Sequence, residues 1–179
     1  MSEDFAIFLN GGFGAGKSST LDHVGDLLAE AGRPFSLMDV DWFHRSWPPA
    51  DPDNSVIEAQ NIAAVWKGYR SAGPRQLVMS GVISTVDARE RYAAAVGLRL
   101  RMVRLTADAE TIRRRLRGRY SASQGAALEW HLERCDELAA RLEAAELDEL
   151  VVDTSGLKPH EVAGRVLRHF GLPAGSAAG

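Results

Sequence analysis

Eight residues near the start of the chain, Gly11 to Ser18, read Gly-Gly-Phe-Gly-Ala-Gly-Lys-Ser and lie between an apolar run and a helical pattern. Gly11, Gly16, Lys17 and Ser18 follow the spacing G-x-x-x-x-G-K-[ST], in the strand–loop–helix context that this spacing requires. Glycines allow backbone conformations that other residues resist, so several N–H groups can point into one concavity. Such a concavity, with a helix N-terminus beside it, binds phosphate. Lys17 adds a charge near the terminal phosphates, and Ser18 offers a hydroxyl to Mg²⁺. The expected ligand is a nucleoside triphosphate with Mg²⁺, held by Gly11, Gly12, Phe13, Gly14, Ala15, Gly16, Lys17, Ser18 and Ser19. The alternative spacing G-x-G-x-x-G fails because Lys17 stands where its last glycine belongs, which argues against a dinucleotide site.

A second chemical signal is the pair Asp39 and Asp41 in "LMDVDWFH". Alternate residues at a strand end point the same way, so both carboxylates can face the phosphate loop across the switch point of a sheet. One can hold hydrated Mg²⁺, and the other can accept a hydrogen bond from a hydroxyl and aim it at the γ-phosphate. Asp39 is assigned to the metal with Ser18, and Asp41 to the hydroxyl, although sequence permits the reverse order. A third signal is "RRRLRGR", Arg113 to Arg119. Arginine suits multi-oxygen phosphate contacts, so this stretch is expected to open a mobile lid over about 113–127. Arg115 and Arg119 rank ahead of Arg113, Arg114 and Arg117. Arg134 and Arg141 could reach the same site or pair with Glu133, Glu137 or Asp136 at helical spacing.

These residues need a scaffold, and the apolar patterning supplies one. Strands are expected at 5–10, 35–39, 75–82, 98–106 and 150–153, and helices at 17–31, 56–71, 87–96, 108–117, about 128–142 and 159–171. The fourth strand, "LRLRMVRLT", alternates apolar residues with arginine and reads as having one solvent-biased face. Strands alternating with helices imply an α/β fold: one domain over 1–172, a parallel sheet of about five strands, and helices on both faces. Residues 173–179 read as a disordered tail. Trp42, Phe43 and Trp47 either stack on a flat acceptor or anchor their loop to the core. His44 reads as a loop residue, and Cys135 as packing on an apolar helix stripe.

Taken together, "NGGFGAGKSS", "DVD" after the second strand and "LTADAETIRRRLRGR" resemble the small-molecule kinases of the P-loop superfamily. Within them the chain is similar to the chloramphenicol-phosphotransferase, tunicamycin-resistance and gluconate- or shikimate-kinase-like group. The resemblance implies a single-domain P-loop NTPase fold with a mobile helical lid. It assigns the D-x-D pair to metal and acceptor hydroxyl, and the R-L-x-x-R residues Arg115, Leu116 and Arg119 to the lid. By the same resemblance, "VDTSGLKPHEV" lays the adenine against backbone near Thr154, Gly156 and Pro159. The implied activity is transfer of the γ-phosphate of ATP to a hydroxyl of a small molecule, a nucleoside or nucleotide, sugar acid or antibiotic-like acceptor. Lys17, Asp41, Arg115 and Arg119 would be the catalytic set. The alternative is a nucleotide-binding regulatory switch with slow ATP hydrolysis, although the base-reading motif N-K-x-D of GTPases is absent.

Composition bounds the partners. The 179 residues carry 45% hydrophobic and 25% charged side chains, enough for one soluble core. A net charge of −3 argues against a general nucleic-acid surface. One cysteine excludes an internal disulfide. The acidic start and short apolar run do not form a signal peptide, and no stretch approaches the roughly 20 apolar residues of a membrane helix. A cytoplasmic protein acting on a small molecule is expected; oligomeric state is left open.

Overall fold

The computed structural model describes residues 4–174. Five strands form one parallel sheet: β1 (Phe5–Gly11), β2 (Phe35–Asp39), β3 (Gln76–Gly81), β4 (Arg99–Thr106) and β5 (Leu150–Asp153), in the order β2-β3-β1-β4-β5. Six helices connect or follow them: α1 (Lys17–Glu30), α2 (Ser55–Arg70), α3 (Val86–Val96), α4 (Ala109–Arg119), α5 (Gly125–Ala145) and α6 (Pro159–His169). The order places β1 at the centre, with β3 and β4 on either side. The phosphate-loop sequence therefore leaves the middle of the sheet, where the chain's direction of winding reverses.

Alternation along the strands builds two cores. Ile7 and Leu9 of β1 join Leu21, Val24 and Leu28 of α1 and Val162, Val166 and Leu167 of α6. Ala6 and Phe8 face the other way, onto Ile62 and Trp66 of α2 and Tyr92 and Val96 of α3. Phe8 is fully buried and meets Tyr92 edge-on at 5.9 Å. Truncating such an aromatic to alanine costs about 3–5 kcal/mol. A third, smaller cluster of Ile112, Leu116 and Cys135 joins α4 to α5, with Phe13 of the loop packed against it.

β4 departs from the sequence reading. It is an interior strand without a solvent-biased face, because the alternation breaks at the adjacent buried pair Met102 and Val103. Arg101 falls on one face, stacked over Phe5 (5.0 Å) and Phe170 (4.5 Å) and paired with Glu149 at 2.8 Å. Arg104 falls on the other, 3.3 Å from the buried carboxylate of Asp148. α4 also runs two residues past its expected end, through Gly118 to Arg119, so the basic run is one continuous helix. The expected tail lies, from residue 175 on, outside the described residues. Among those described, no helix is long and apolar enough to cross a membrane.

Candidate active site

The turn from β1 into α1 is shaped by what glycine permits. A Cβ on Gly11 would sit 2.8 Å from the Leu105 carbonyl oxygen of the neighbouring strand. Gly16 precedes α1 with φ 94°, in the left-handed region that side chains disfavour. Inside the turn, Lys17 folds back and donates from Nζ to Gly11 O (2.9 Å) and Gly12 O (3.3 Å). Lys17 is only 9% exposed, where the sequence suggests a free loop lysine. Burial pushes its ammonium pKa down, opposed by the charges of Asp41 and Asp39 and reinforced by Arg119.

Asp39 and Asp41 both reach this turn. Asp39 Oδ2 accepts from Ser18 Oγ at 3.1 Å, and its Oδ1 accepts from Asp41 N at 3.2 Å. Asp41 Oδ2 lies 4.0 Å from Lys17 Nζ. Burial pushes the Asp41 carboxyl above the usual carboxylate range; Lys17 opposes this and Asp39 adds to it. The structure thus brings together the loop, the lysine and both carboxylates, with Asp39 beside Ser18 and Asp41 beside Lys17.

Mg²⁺ fits this arrangement on an independent observation. Ser80, the last residue but one of β3, pairs with Asp39 in the β2–β3 register, so the two side chains share one face of the sheet. Its hydroxyl is fully buried and has no partner among the described residues. An orphaned buried hydroxyl is costly unless something completes it, and a hydrated cation held by Ser18 and Asp39 would do so. Sequence reasoning passed over Ser80 because it sought an acid at the end of β3.

The arginines of the basic run separate. Arg119 is exposed at the C-terminal end of α4, near enough to Lys17 and Asp41 that its charge acts on both. Arg115 instead turns onto the loop and onto Thr154, hydrogen-bonded to both. Thr154 is 2% exposed, so the side chain expected beside adenine is turned inward. Gly156 and Pro159, by contrast, are exposed at the entrance to α6. Arg113 pairs with Asp136 at 3.3 Å across α4 and α5. Arg134 pairs with Glu133 at 3.2 Å and lies over Trp130 at 4.6 Å. Phe13 binds the loop to α5, with its ring 4.5 Å from His131 and 5.8 Å from Trp130.

On the α2–α3 side of Asp41 the structure adds residues that no sequence motif marks. Glu58, in the first turn of α2, is largely buried and lies 3.5 Å from His44 Nδ1. The Tyr92 hydroxyl is also beside Glu58, and its pKa is driven far up by burial and that carboxylate. Of the three aromatics near the acids, Phe43 packs against the core, whereas Trp42 and Trp47 stay 66% and 89% exposed. Trp42 carries the Arg45 guanidinium 4.6 Å over its ring.

Asn10, missed by the sequence reading, holds the start of the loop. It is 1% exposed; its Nδ2 donates to Ile83 O (2.9 Å) and Asp148 Oδ1 (3.2 Å). Its Oδ1 accepts from Ile83 N (3.0 Å) and Gly11 N (3.1 Å). One side chain therefore ties the loop to the segment after β3.

No protein-family model matches the sequence, and no curated protein does. Solved structures do match over nearly the whole chain. The tunicamycin resistance protein of Deinococcus radiodurans superposes with TM-score 0.64 at 20% identity, covering 95% of this chain and 97% of that one. A sugar kinase from a Janibacter species matches with TM-score 0.63 at 19% identity, covering 96% of each chain. A shikimate kinase from Bacteroides thetaiotaomicron matches with TM-score 0.60 at 16% identity, covering 94% of this chain and 99% of that one. At these identities the likeness concerns the fold: the chain has the P-loop small-molecule kinase-like fold.

Proposed function

We propose that this protein is an ATP- and Mg²⁺-dependent phosphotransferase that moves the γ-phosphate to a hydroxyl of a small molecule. The observation that carries the reading is the pairing of Ser18 with Asp39 at 3.1 Å beside the approach of Lys17 to Asp41 at 4.0 Å. A metal pair and a base candidate thereby stand side by side at one phosphate loop. The fold shared with a sugar kinase and a shikimate kinase supports the same reading.

In this mechanism the loop N–H groups and Lys17 hold the phosphates, and Ser18 and Asp39, with Ser80 behind them, would hold Mg²⁺. The metal would supply neutralisation of phosphate charge. Asp41, with its pKa raised, accepts the proton of the acceptor hydroxyl. The hydroxyl oxygen forms the new bond to γ-phosphorus as the β–γ bridging bond breaks and ADP departs. Arg119 stabilises the charge spread over the transferring group. Glu58, His44 and Tyr92 line the side from which the acceptor enters. The regulatory-switch reading gives no role to a carboxylate set against Lys17 with Glu58 and His44 nearby.

The test is an ATP-consumption screen of the purified protein with Mg²⁺ over nucleosides, nucleotides, sugars, sugar acids and hydroxylated antibiotics. Stimulation by one class, with the phosphorylated product found by mass spectrometry, is the expected result. Slow turnover unaffected by every compound would favour the switch.

A further inference from the structure

Arg115 leaves α4 towards the phosphate loop and makes three hydrogen bonds there. Nη1 donates to Gly14 O (3.1 Å) and to Thr154 Oγ1 (2.9 Å), and Nη2 donates to Thr154 O (2.9 Å). Thr154 passes the restraint on. Its one hydroxyl proton is shared between Thr106 O (2.9 Å) and Ala15 O (3.1 Å), and its backbone N–H donates to Thr106 O at 2.8 Å. Two consecutive loop carbonyls, those of Gly14 and Ala15, are therefore gripped from behind by residues of α4 and of the β5–α6 connection.

The consequence follows from peptide geometry. In a trans peptide unit the C=O and N–H point in opposite directions. Gripping Ala15 C=O thus sets the direction of Gly16 N–H, and gripping Gly14 C=O sets that of Ala15 N–H. Ala15 N–H otherwise has only a long contact of 3.4 Å to Gly12 O. N–H groups converging in this way are what an anionic phosphate requires. The loop's own sequence does not enforce the arrangement, because its glycines are free to leave it, and ordering them costs conformational entropy. A loop ordered in advance spares that cost at binding.

We propose that Arg115 is a positioning residue: braced with Thr154, it presets the phosphate loop and governs how tightly Mg·ATP binds rather than how fast the phosphoryl group moves. The inference rests on the nucleotide reading of the loop, and it leaves the transferring charge to Arg119.

The test measures Mg·ATP dissociation constants by calorimetry on the full chain, together with kcat at saturating ATP. Arg115→Ala and Thr154→Val, the latter removing only the hydroxyl at nearly constant volume, should each weaken Mg·ATP binding about tenfold, the worth of a lost hydrogen bond to a charged group. kcat at saturation should stay within about threefold, because no group touching the reacting atoms is removed. Thr154→Ser, which keeps the hydroxyl, should restore binding. The double variant should bind no more weakly than Arg115→Ala, since both act through one brace. Unchanged affinity in Thr154→Val and Thr154→Ser, both folded by thermal melt, would overturn the proposal. So would a large fall in kcat for Arg115→Ala with affinity intact. Failure of the unmodified protein to bind Mg·ATP would instead overturn the nucleotide reading on which the brace depends.

Discussion

Lys17 Nζ lies 4.0 Å from Asp41 Oδ2, with its ammonium donating to the carbonyls of Gly11 and Gly12. The lysine is thus turned inward by its own loop and set against the proposed base. Each charge holds the other in its ionised form while burial works against both.

Lys17→Ala should abolish ATP turnover. It should cost the fold about 1–3 kcal/mol, since it strands the two carbonyls that the ammonium satisfies. Coupled-enzyme assays and urea unfolding of the variant check both parts. Near-normal turnover would remove the loop from the chemistry.

The pH dependence follows from the same pair. Asp41 must be ionised to accept a proton, and its pKa is raised by burial, so the rate should climb with pH through a value above the usual carboxylate range. Lys17 must be protonated, and its pKa is lowered by burial, so the alkaline fall should begin below that of an ordinary lysine. The profile of kcat/KM should be a bell narrowed from both sides. Asp41→Asn should remove the acid limb and leave the alkaline one. An acid limb that survives in Asp41→Asn would assign the base elsewhere.

Arg119→Ala should lower kcat on the order of 10³-fold, by analogy with arginines that meet transferring phosphoryl groups, and alter Mg·ATP affinity much less. Its guanidinium is exposed and has no hydrogen bond among the described residues, so little of the fold depends on it. Steady-state kinetics with a saturating acceptor would show this. Equal kcat in Arg119→Ala and the unmodified protein would leave the basic run as a solvated helix face.

Asn10→Ala should destabilise the protein by about 1–3 kcal/mol, because it strands the buried N–H and C=O of Ile83 and one contact of the buried Asp148 carboxylate. The loss is read as a lower urea midpoint with an unchanged slope. Asn10→Asp keeps the acceptor but places a second carboxylate against Asp148, and should be no better than alanine. A midpoint unmoved by both would mean that water replaces the side chain.

Much of this was legible in the sequence because the signals are local. The phosphate loop needs a strand, particular glycines and a helix start in one contiguous stretch, and the two aspartates follow from the period of a strand end. What the sequence hid depends on distant residues meeting. Arg115 and Arg119 look equivalent within the basic run, yet four residues along α4 separate a side chain gripping Thr154 from one beside Lys17 and Asp41. Asn10 resembles the end of any apolar strand until its partners Ile83 and Asp148 are known. The arginines of β4 suggest a wet face, because pattern alone cannot reveal that Asp148, Glu149 and two phenylalanine rings receive them.

The division of labour between Asp39 and Asp41 is open to a direct test. Asp39 bonds Ser18, the hydroxyl proposed for the metal, whereas Asp41 stands against Lys17, close enough to His44 that its charge acts on the carboxylate. Asp41→Asn keeps the size and removes the capacity to take a proton. It should bind Mg·ATP normally and lose acceptor phosphorylation by about 10²–10⁴-fold, the range for a general base. Asp39→Asn should instead raise the Mg²⁺ concentration needed for half-maximal activity while leaving activity at saturating Mg²⁺ largely intact. Titrating Mg²⁺ against both variants, with the acceptor found in the screen, separates the roles. Exchanged phenotypes would exchange the assignments and keep the kinase. Turnover that ignores the acceptor in the unmodified protein and both variants would sink the phosphotransferase reading and leave a hydrolytic switch, in which Asp41 has no proton to take from a hydroxyl.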